Sequence, residues 1–196
     1  MSKTVKGLIA VVGVLVLGLI ATIGWGVSTS NNLVALEAGV DGSWAQVENV
    51  LQRRYDLIPN LVSSVEGSMS QEREIFTAIA DSRRTVDNAT SVEDTAEANA
   101  ELSNNLQTLV SVIHESYPQL TSNDNVMNLM TQLEGTENRI SVERQRYNEA
   151  VTNYNVTIRK IPTNIVANIA GYEQRELFEA SEGADVAPNV EFNVGG

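Results

Sequence analysis

Apolar positions follow two regimes along the chain. From Gly7 to Val27, 21 consecutive residues carry no formal charge, and Lys3 and Lys6 precede them. At about 1.5 Å per helical residue the run covers roughly 31 Å, which matches a hydrocarbon core of about 30 Å. Beyond Ser28-Thr29-Ser30-Asn31-Asn32 the apolar residues thin to a stripe. Leu33, Leu36, Val40, Trp44, Val47, Leu51, Ile58, Leu61 and Val65 are spaced by three, four or seven, which predicts one helix from Asn32 to Glu66 with a single buried face. If the polar run does not break it, span and stalk form one rod approaching about 90 Å.

The same periodicity predicts three further long helices. Gly67 reads as a C-terminus, and Ser68 with Gln71 has the capping-box spacing for a second helix carrying Phe76, Ile79, Arg83 and Val86, which fades at Asn88-Ala89-Thr90. Ser91 with Asp94 opens a third, with Leu102, Leu106, Leu109, Ile113 and Tyr117, stopped by Pro118. The fourth runs from Asp124 to Lys160 through Met127, Met130, Leu133, Ile140, Tyr147, Val151, Tyr154 and Ile158, and Pro162 ends it. A short helix from Thr163, as N-cap, to Ala170 closes on Gly171. Short loops imply antiparallel neighbours, so the fold class is all-α, an N-terminal transmembrane helix followed by an elongated antiparallel bundle of about four long helices. The expected organisation is a short cytoplasmic tail (1–6), a transmembrane helix (7–27), a bundle (28–171) and an acidic extended tail (172–196). In that tail Leu177, Phe178, Val190 and Phe192 are the bulky apolar residues free to dock on the bundle or on a neighbouring subunit.

A cleaved secretory signal would also begin with lysines and an apolar run. The stretch exceeds the usual h-region of about 7 to 15 residues and lacks a clear small-x-small site after it, which favours a retained anchor. Both lysines lie before the span, and the other flank has no Lys or Arg until Arg53, so the positive-inside rule puts the N-terminus in the cytoplasm and the bundle outside. Gly18, Thr22 and Gly26 form a small-xxx-small stripe suited to close helix packing, although glycine is common in membrane helices anyway.

Charge narrows the choice of partner. The outer domain holds all 25 acidic residues against 11 of the 13 basic ones, a balance near −14. That argues against nucleic acid, whose phosphates need clustered Lys and Arg, and equally against the domain lying on anionic lipid. With no cysteine there is no disulfide, thiol catalysis or thiolate metal site. Lys160 is the single lysine of this domain; its other cations are arginines, which hold carboxylates in bidentate pairs and tolerate partial burial.

Two polar clusters interrupt the stripe. In Arg53-Arg54-Tyr55-Asp56-Leu57-Ile58-Pro59-Asn60-Leu61 the proline removes a backbone donor in mid-helix. A kink is expected there, with Asp56 and Asn60 repairing it and Arg53 or Arg54 pairing with acids on facing helices. The second cluster repeats Tyr147-Asn148 as Tyr154-Asn155 after seven residues, so like residues share a stripe. Packing, with hydroxyl hydrogen bonds to the kinked helix, is the expected role, and a binding surface is the alternative.

Catalytic constellations are sparse. His114 is the sole histidine, near the end of the third helix. Glu134 and Glu137 stand one turn apart as in di-iron bundles, but the Glu-x-x-His partners of such bundles are missing, and no P-loop, dinucleotide fingerprint or nucleophile elbow occurs. The sequence predicts no enzyme, no cofactor and no metal site.

Asn32 to Glu37, Trp44, and Arg53-Arg54-Tyr55-Asp56-Leu57-Ile58-Pro59-Asn60-Leu61-Val62 together resemble the hallmark of the LemA family. Tyr117-Pro118, Leu133 to Ile140 with Glu137 and Arg139, Tyr147-Asn148-Glu149-Ala150-Val151, Tyr154-Asn155, Pro162 and Ala187 to Phe192 follow in the same order. The chain departs from the family pattern at Gly39 and Gly42 and in its acidic, lysine-poor surface. The resemblance implies a bacterial inner-membrane protein with one span and a helical bundle, without established enzymatic chemistry, and with a link to membrane organisation through magnetosome-associated members. Two functions fit: a self-associating scaffold, a homo-oligomer on the lipid bilayer, or a sensor or adaptor binding a separate protein partner. A reporter active only in the periplasm should work when fused after Gly196 and fail when fused at the N-terminus; the reverse pattern would overturn the orientation.

Overall fold

The computed structural model describes residues 3–179. They form six helices and, among the described residues, no strand: α1 (Lys3–Val65), α2 (Arg73–Asn88), α3 (Val92–Ser116), α4 (Pro118–Thr121), α5 (Asp124–Arg159) and α6 (Thr163–Ala170). The chain divides into two compact units, and α1 and α5 contribute residues to both.

The first unit holds α1 up to Ala45 and the chain from Arg146 to Arg175. Here α1 runs through Ser28 to Asn32 without a break. From Val11 to Val27 its residues are exposed apart from half-covered Gly26, and the helix is long and, near its N-terminus, apolar enough to cross a membrane. Burial then begins on one stripe, with Thr29 and Ser30 half-covered and Leu33 and Val40 inside. Tyr147, Val151, Tyr154 and Ile158 of α5 and Ala167 of α6 complete the buried set. Gly39 and Gly42 face open space, so the helix carries them at a propensity cost without a packing reason.

The second unit, Gln46 to Gln145 with Glu176 to Glu179 among the described residues, contains the larger core. Ile58, Leu61 and Val65 of α1 meet Ile79 of α2, Leu102, Leu106, Leu109 and Ile113 of α3, Leu120, and Val126, Leu129, Met130 and Leu133 of α5. Most of these are residues that the helical spacing selected.

Helix ends follow local chemistry, with three differences from expectation. Ser91 and Asp94 form a reciprocal capping box at α3, and Gly171, at φ +80°, ends α6 in the left-handed conformation while the Tyr172 N–H returns to Ala167 O. The Asn123 side chain accepts from the N–H groups of Asn125 and Val126 to open α5. Ser68 and Gln71, however, lie in a turn stitched by Ser68 and Met69 N–H bonds to Val65 O, and α2 starts only at Arg73. Fully buried Met69 accounts for this, since a helix begun at Ser68 would have to withdraw it from the core. Pro118 does not merely stop α3 but occupies the first position of α4. Thr163 is the first residue of α6 and not its cap, because Pro162 takes the cap position. Phe178 is buried within the chain, which removes it as an anchor for a neighbouring subunit; Val190, Phe192 and the rest of the motif from Ala187 lie outside the described residues.

The capping box generates a pH-dependent prediction. Hydrogen bonding from Ser91 holds the Asp94 carboxyl below its ordinary value. A depressed folded-state value stabilises the fold above the ordinary aspartate range of about 3.9, and that contribution is lost as pH falls through the lower folded value. Ser91→Ala should cost about 1 kcal/mol in urea unfolding at neutral pH. The difference between wild type and variant should shrink in acid, and a constant difference would show that the box is not the source.

Candidate functional site

The centre of the second unit is a buried charge. Arg54, on the core-facing stripe of α1, is 1% exposed. Its Nη1 donates to Ser103 Oγ at 2.6 Å and to Glu137 Oε2 at 2.8 Å; its Nη2 donates to Asn99 Oδ1 and, at 3.5 Å, to the Asn99 carbonyl. Asn99 is oriented by its own amide donating to Thr95 O at 2.8 Å, and the Ser103 hydroxyl donates to Glu137 at 3.3 Å. One guanidinium thereby ties α1 to α3 and α5. Burial pulls the Arg54 pKa below the ordinary arginine value, and Glu137 opposes the shift; arginine stays charged regardless. Glu137 itself keeps about half of its side chain in solvent. Arg54 Nε finds no acceptor among the described residues.

Arg54, Ser103 and Glu137 border a groove of about 610 Å³ between α3 and α5. Leu106, Met130 and Leu133 form its floor, and Val110 and exposed Met127 its rim. Glu134 and His114 also line it, yet among the described residues no three His, Asp or Glu side chains converge where a metal ion would sit.

Beside the hub, the Tyr55 hydroxyl donates to Asp87 Oδ2 at 2.7 Å while the Arg83 guanidinium stacks 4.2 Å above the Tyr55 ring. The hydrogen bond to Asp87, then burial, raise the Tyr55 pKa. Arg53, Asp56 and Asn60 are exposed. Gln52 donates to Asp56 Oδ1, the Asn60 amide donates to Asp56 O, and helix α1 is continuous through Pro59. Arg139 is exposed as well.

In the first unit the two tyrosines take different roles. Tyr147 packs on Trp44 with ring centres 5.2 Å apart, and Asn148 next to it is half-buried. Tyr154, buried, donates to Glu173 O at 2.9 Å, and Asn155 exchanges two hydrogen bonds with the Arg175 backbone at 2.8 and 2.9 Å. The expected bond from Tyr154 to α1 is therefore corrected: its hydroxyl holds the chain leaving α6, whose backbone groups have no ladder of their own. Burial and Glu37 raise the Tyr154 pKa. Arg175 reaches Glu37 at 3.0 Å and Asp41 at 3.5 Å. Partial burial works against its charge, but these acids outweigh it and raise its pKa. In the apolar run, Thr22 Oγ donates to Gly18 O at 2.9 Å, and a Cβ at Gly18 or Gly26 would meet nothing within 4 Å.

Asn99, Ser103, Asp87 and Arg175 escaped the sequence reading, and Arg83 entered it only as a position on the α2 stripe. One signal was available on α3. Asn99 lies three positions before Leu102 and seven before Leu106, so it occupies a core position of the stripe, and a polar residue there needs a buried partner.

Comparison with known proteins decides the family. The LemA family model matches residues 43–192, well over half of the chain, and spans Arg54, Glu137 and both Tyr-Asn pairs. The chain belongs to the LemA family. Relatives of this LemA protein include magnetosome proteins MamQ 1 and MamQ 2 of Paramagnetospirillum magneticum, each 27% identical over 87% of this chain and 72% of theirs. MamQ of Magnetospirillum gryphiswaldense is 26% identical over the same shares.

The hub sets up a double-mutant test. Glu137→Ala leaves the buried guanidinium with neutral acceptors and should cost about 1.5 to 3 kcal/mol, below the value of a fully buried pair because Glu137 is half in solvent. Arg54→Met should cost about 2 to 3 kcal/mol by stranding Asn99 and Ser103. The double variant should fall short of the sum by about 1 to 3 kcal/mol in urea unfolding. Additive costs would show that the pair does not couple the helices.

Proposed function

We propose that this LemA protein is a membrane-anchored, self-associating helical scaffold that organises or shapes the bacterial inner membrane, with its bundle outside the cytoplasm, and that it acts by contact, without catalysis or cofactor. The observation that carries this reading is the groove between α3 and α5. Leu106, Met130 and Leu133 nearly close its floor, Met127 on its rim is 39% exposed among the described residues, and the occupant proposed is a second copy. Tethering by one span confines copies to a plane, which raises their effective concentration, so a modest lateral contact suffices. Head-to-tail contacts of one groove with a different surface close into rings or grow into filaments. The magnetosome proteins among the relatives support a link to membrane organisation.

Size in solution tests it. Full-length protein in nanodiscs or detergent should give large regular particles in electron micrographs and a mass of many protomers. Met127→Glu, which puts a charge on the groove rim, should reduce both while leaving the far-ultraviolet circular dichroism unchanged. A monodisperse single bundle in the wild type would overturn the scaffold and favour an adaptor whose groove receives a helix of a separate protein.

A further inference from the structure

The first unit contains a second surface suited to the bilayer. Along α6 and the residue two places before it, Ile161 is 84% exposed, Ile165 56% and Ile169 83%. Ile165 and Ile169 are four positions apart and so share one face of α6, with Ile161 in the turn that leads into it, while buried Ala167 lies two positions from each of them, on the opposite side of the helix. A small outer domain gains nothing in water from a row of bare isoleucines beside its anchor.

Contacts within the unit fix the level of this helix. Trp44 of α1 meets Tyr147 of α5, and Glu37, seven residues nearer the span, meets Arg175, which Asn155 of α5 holds. The two helices are therefore antiparallel, and Arg159 at the end of α5 comes level with about Leu33. That is roughly 9 Å, six residues of helical rise, from Val27. Glu173 returns to Tyr154, so α6 occupies the turn-round at the span end of α5. Cover on α1 begins at the same level, at Gly26, Thr29 and Ser30.

Charge agrees with that placement. From Ala150 to Tyr172 the chain has no Asp or Glu, and its charged residues are Arg159 and Lys160. On α1 none occurs between Lys6 and Glu37. The first acids met on leaving the span, Glu37 and Asp41, are both engaged by Arg175. An acidic domain thus presents its net positive end where the span leaves the hydrocarbon.

We infer that α6 is an interfacial helix, lying among the lipid headgroups with Ile161, Ile165 and Ile169 in the outer acyl region and Arg159 and Lys160 on lipid phosphate. The chemistry is that of amphipathic helices seated at a membrane surface: apolar side chains enter the acyl boundary and the stems of basic residues snorkel to the phosphates. This inference rests on the reading of Gly7 to Val27 as a membrane span, and it goes beyond the scaffold, since a second contact fixes the rotation and tilt of the unit at the bilayer whether or not copies associate.

The chain lacks cysteine, so single-cysteine variants of the full-length protein can carry a fluorophore without background. Labels at Ile20→Cys, Ile165→Cys, Ile169→Cys and Thr152→Cys would be compared in phosphatidylcholine vesicles with and without phosphatidylglycerol, using lipids with a quencher near the headgroup or near the chain end. Thr152 is exposed on α5 and serves as the aqueous reference. The Ile165 and Ile169 labels should be quenched several-fold more by the headgroup-proximal lipid than by the deep one, the Ile20 label by the deep one, and the Thr152 label by neither. Arg159→Gln with Lys160→Gln should weaken the α6 quenching in phosphatidylglycerol vesicles alone. Quenching at Ile20 without quenching at Ile165 and Ile169 would overturn the interfacial helix while leaving the span intact. Shielding of those two labels from water without lipid quenching would place another copy there and overturn it equally. An unquenched Ile20 label would remove the span, and the inference with it.

Discussion

A single guanidinium governs the arrangement of three helices. Arg54 stands where the apolar stripe of α1 calls for a leucine, and its burial is tolerable because Glu137, Ser103 and Asn99 meet it from α5 and α3. Arginine suits the position better than lysine, since its planar fork addresses partners on two helices at once and is more weakly hydrated than an ammonium. Such a hub constrains rotation and register: a helix turned by one residue would carry the charge away from its acceptors on α3 and α5. Apolar contacts forgive small slips, whereas a buried charge does not.

The first unit uses neutral hydrogen bonds for a comparable purpose. Tyr154 and Asn155 occupy adjacent positions on α5 and seize the backbone from Glu173 to Arg175. An irregular segment gains fixed partners for its amides in this way, and Arg175 is delivered to Glu37 and Asp41. Of the earlier pair, seven residues back, Tyr147 packs on Trp44.

Charge is distributed as unevenly as hydrophobicity. The net negative balance describes the chain after Val27 as a whole, but residues 28 to 36 carry no charge, and from Ala150 to Tyr172 the charged residues are Arg159 and Lys160. Membership of the LemA family and the likeness to magnetosome proteins accord with a chain built around a bilayer.

Period and composition were enough to specify the all-helical class, the long apolar run, the core stripes from Ile58 to Leu133 and the capping box at Ser91, because each depends on residues within a few turns of one another. The start of α2 misled, since the tertiary burial of Met69 outweighed the local cap signal of Ser68. Arg54 was visible as a candidate for pairing, but its partners were not: Asn99, Ser103 and Glu137 lie 45, 49 and 83 positions away, and only the packing of three helices brings them together. The same holds for Arg159 and Lys160. In the sequence they are far from the apolar run, and in the proposed interfacial arrangement it is the antiparallel return of α5 that carries them back toward it.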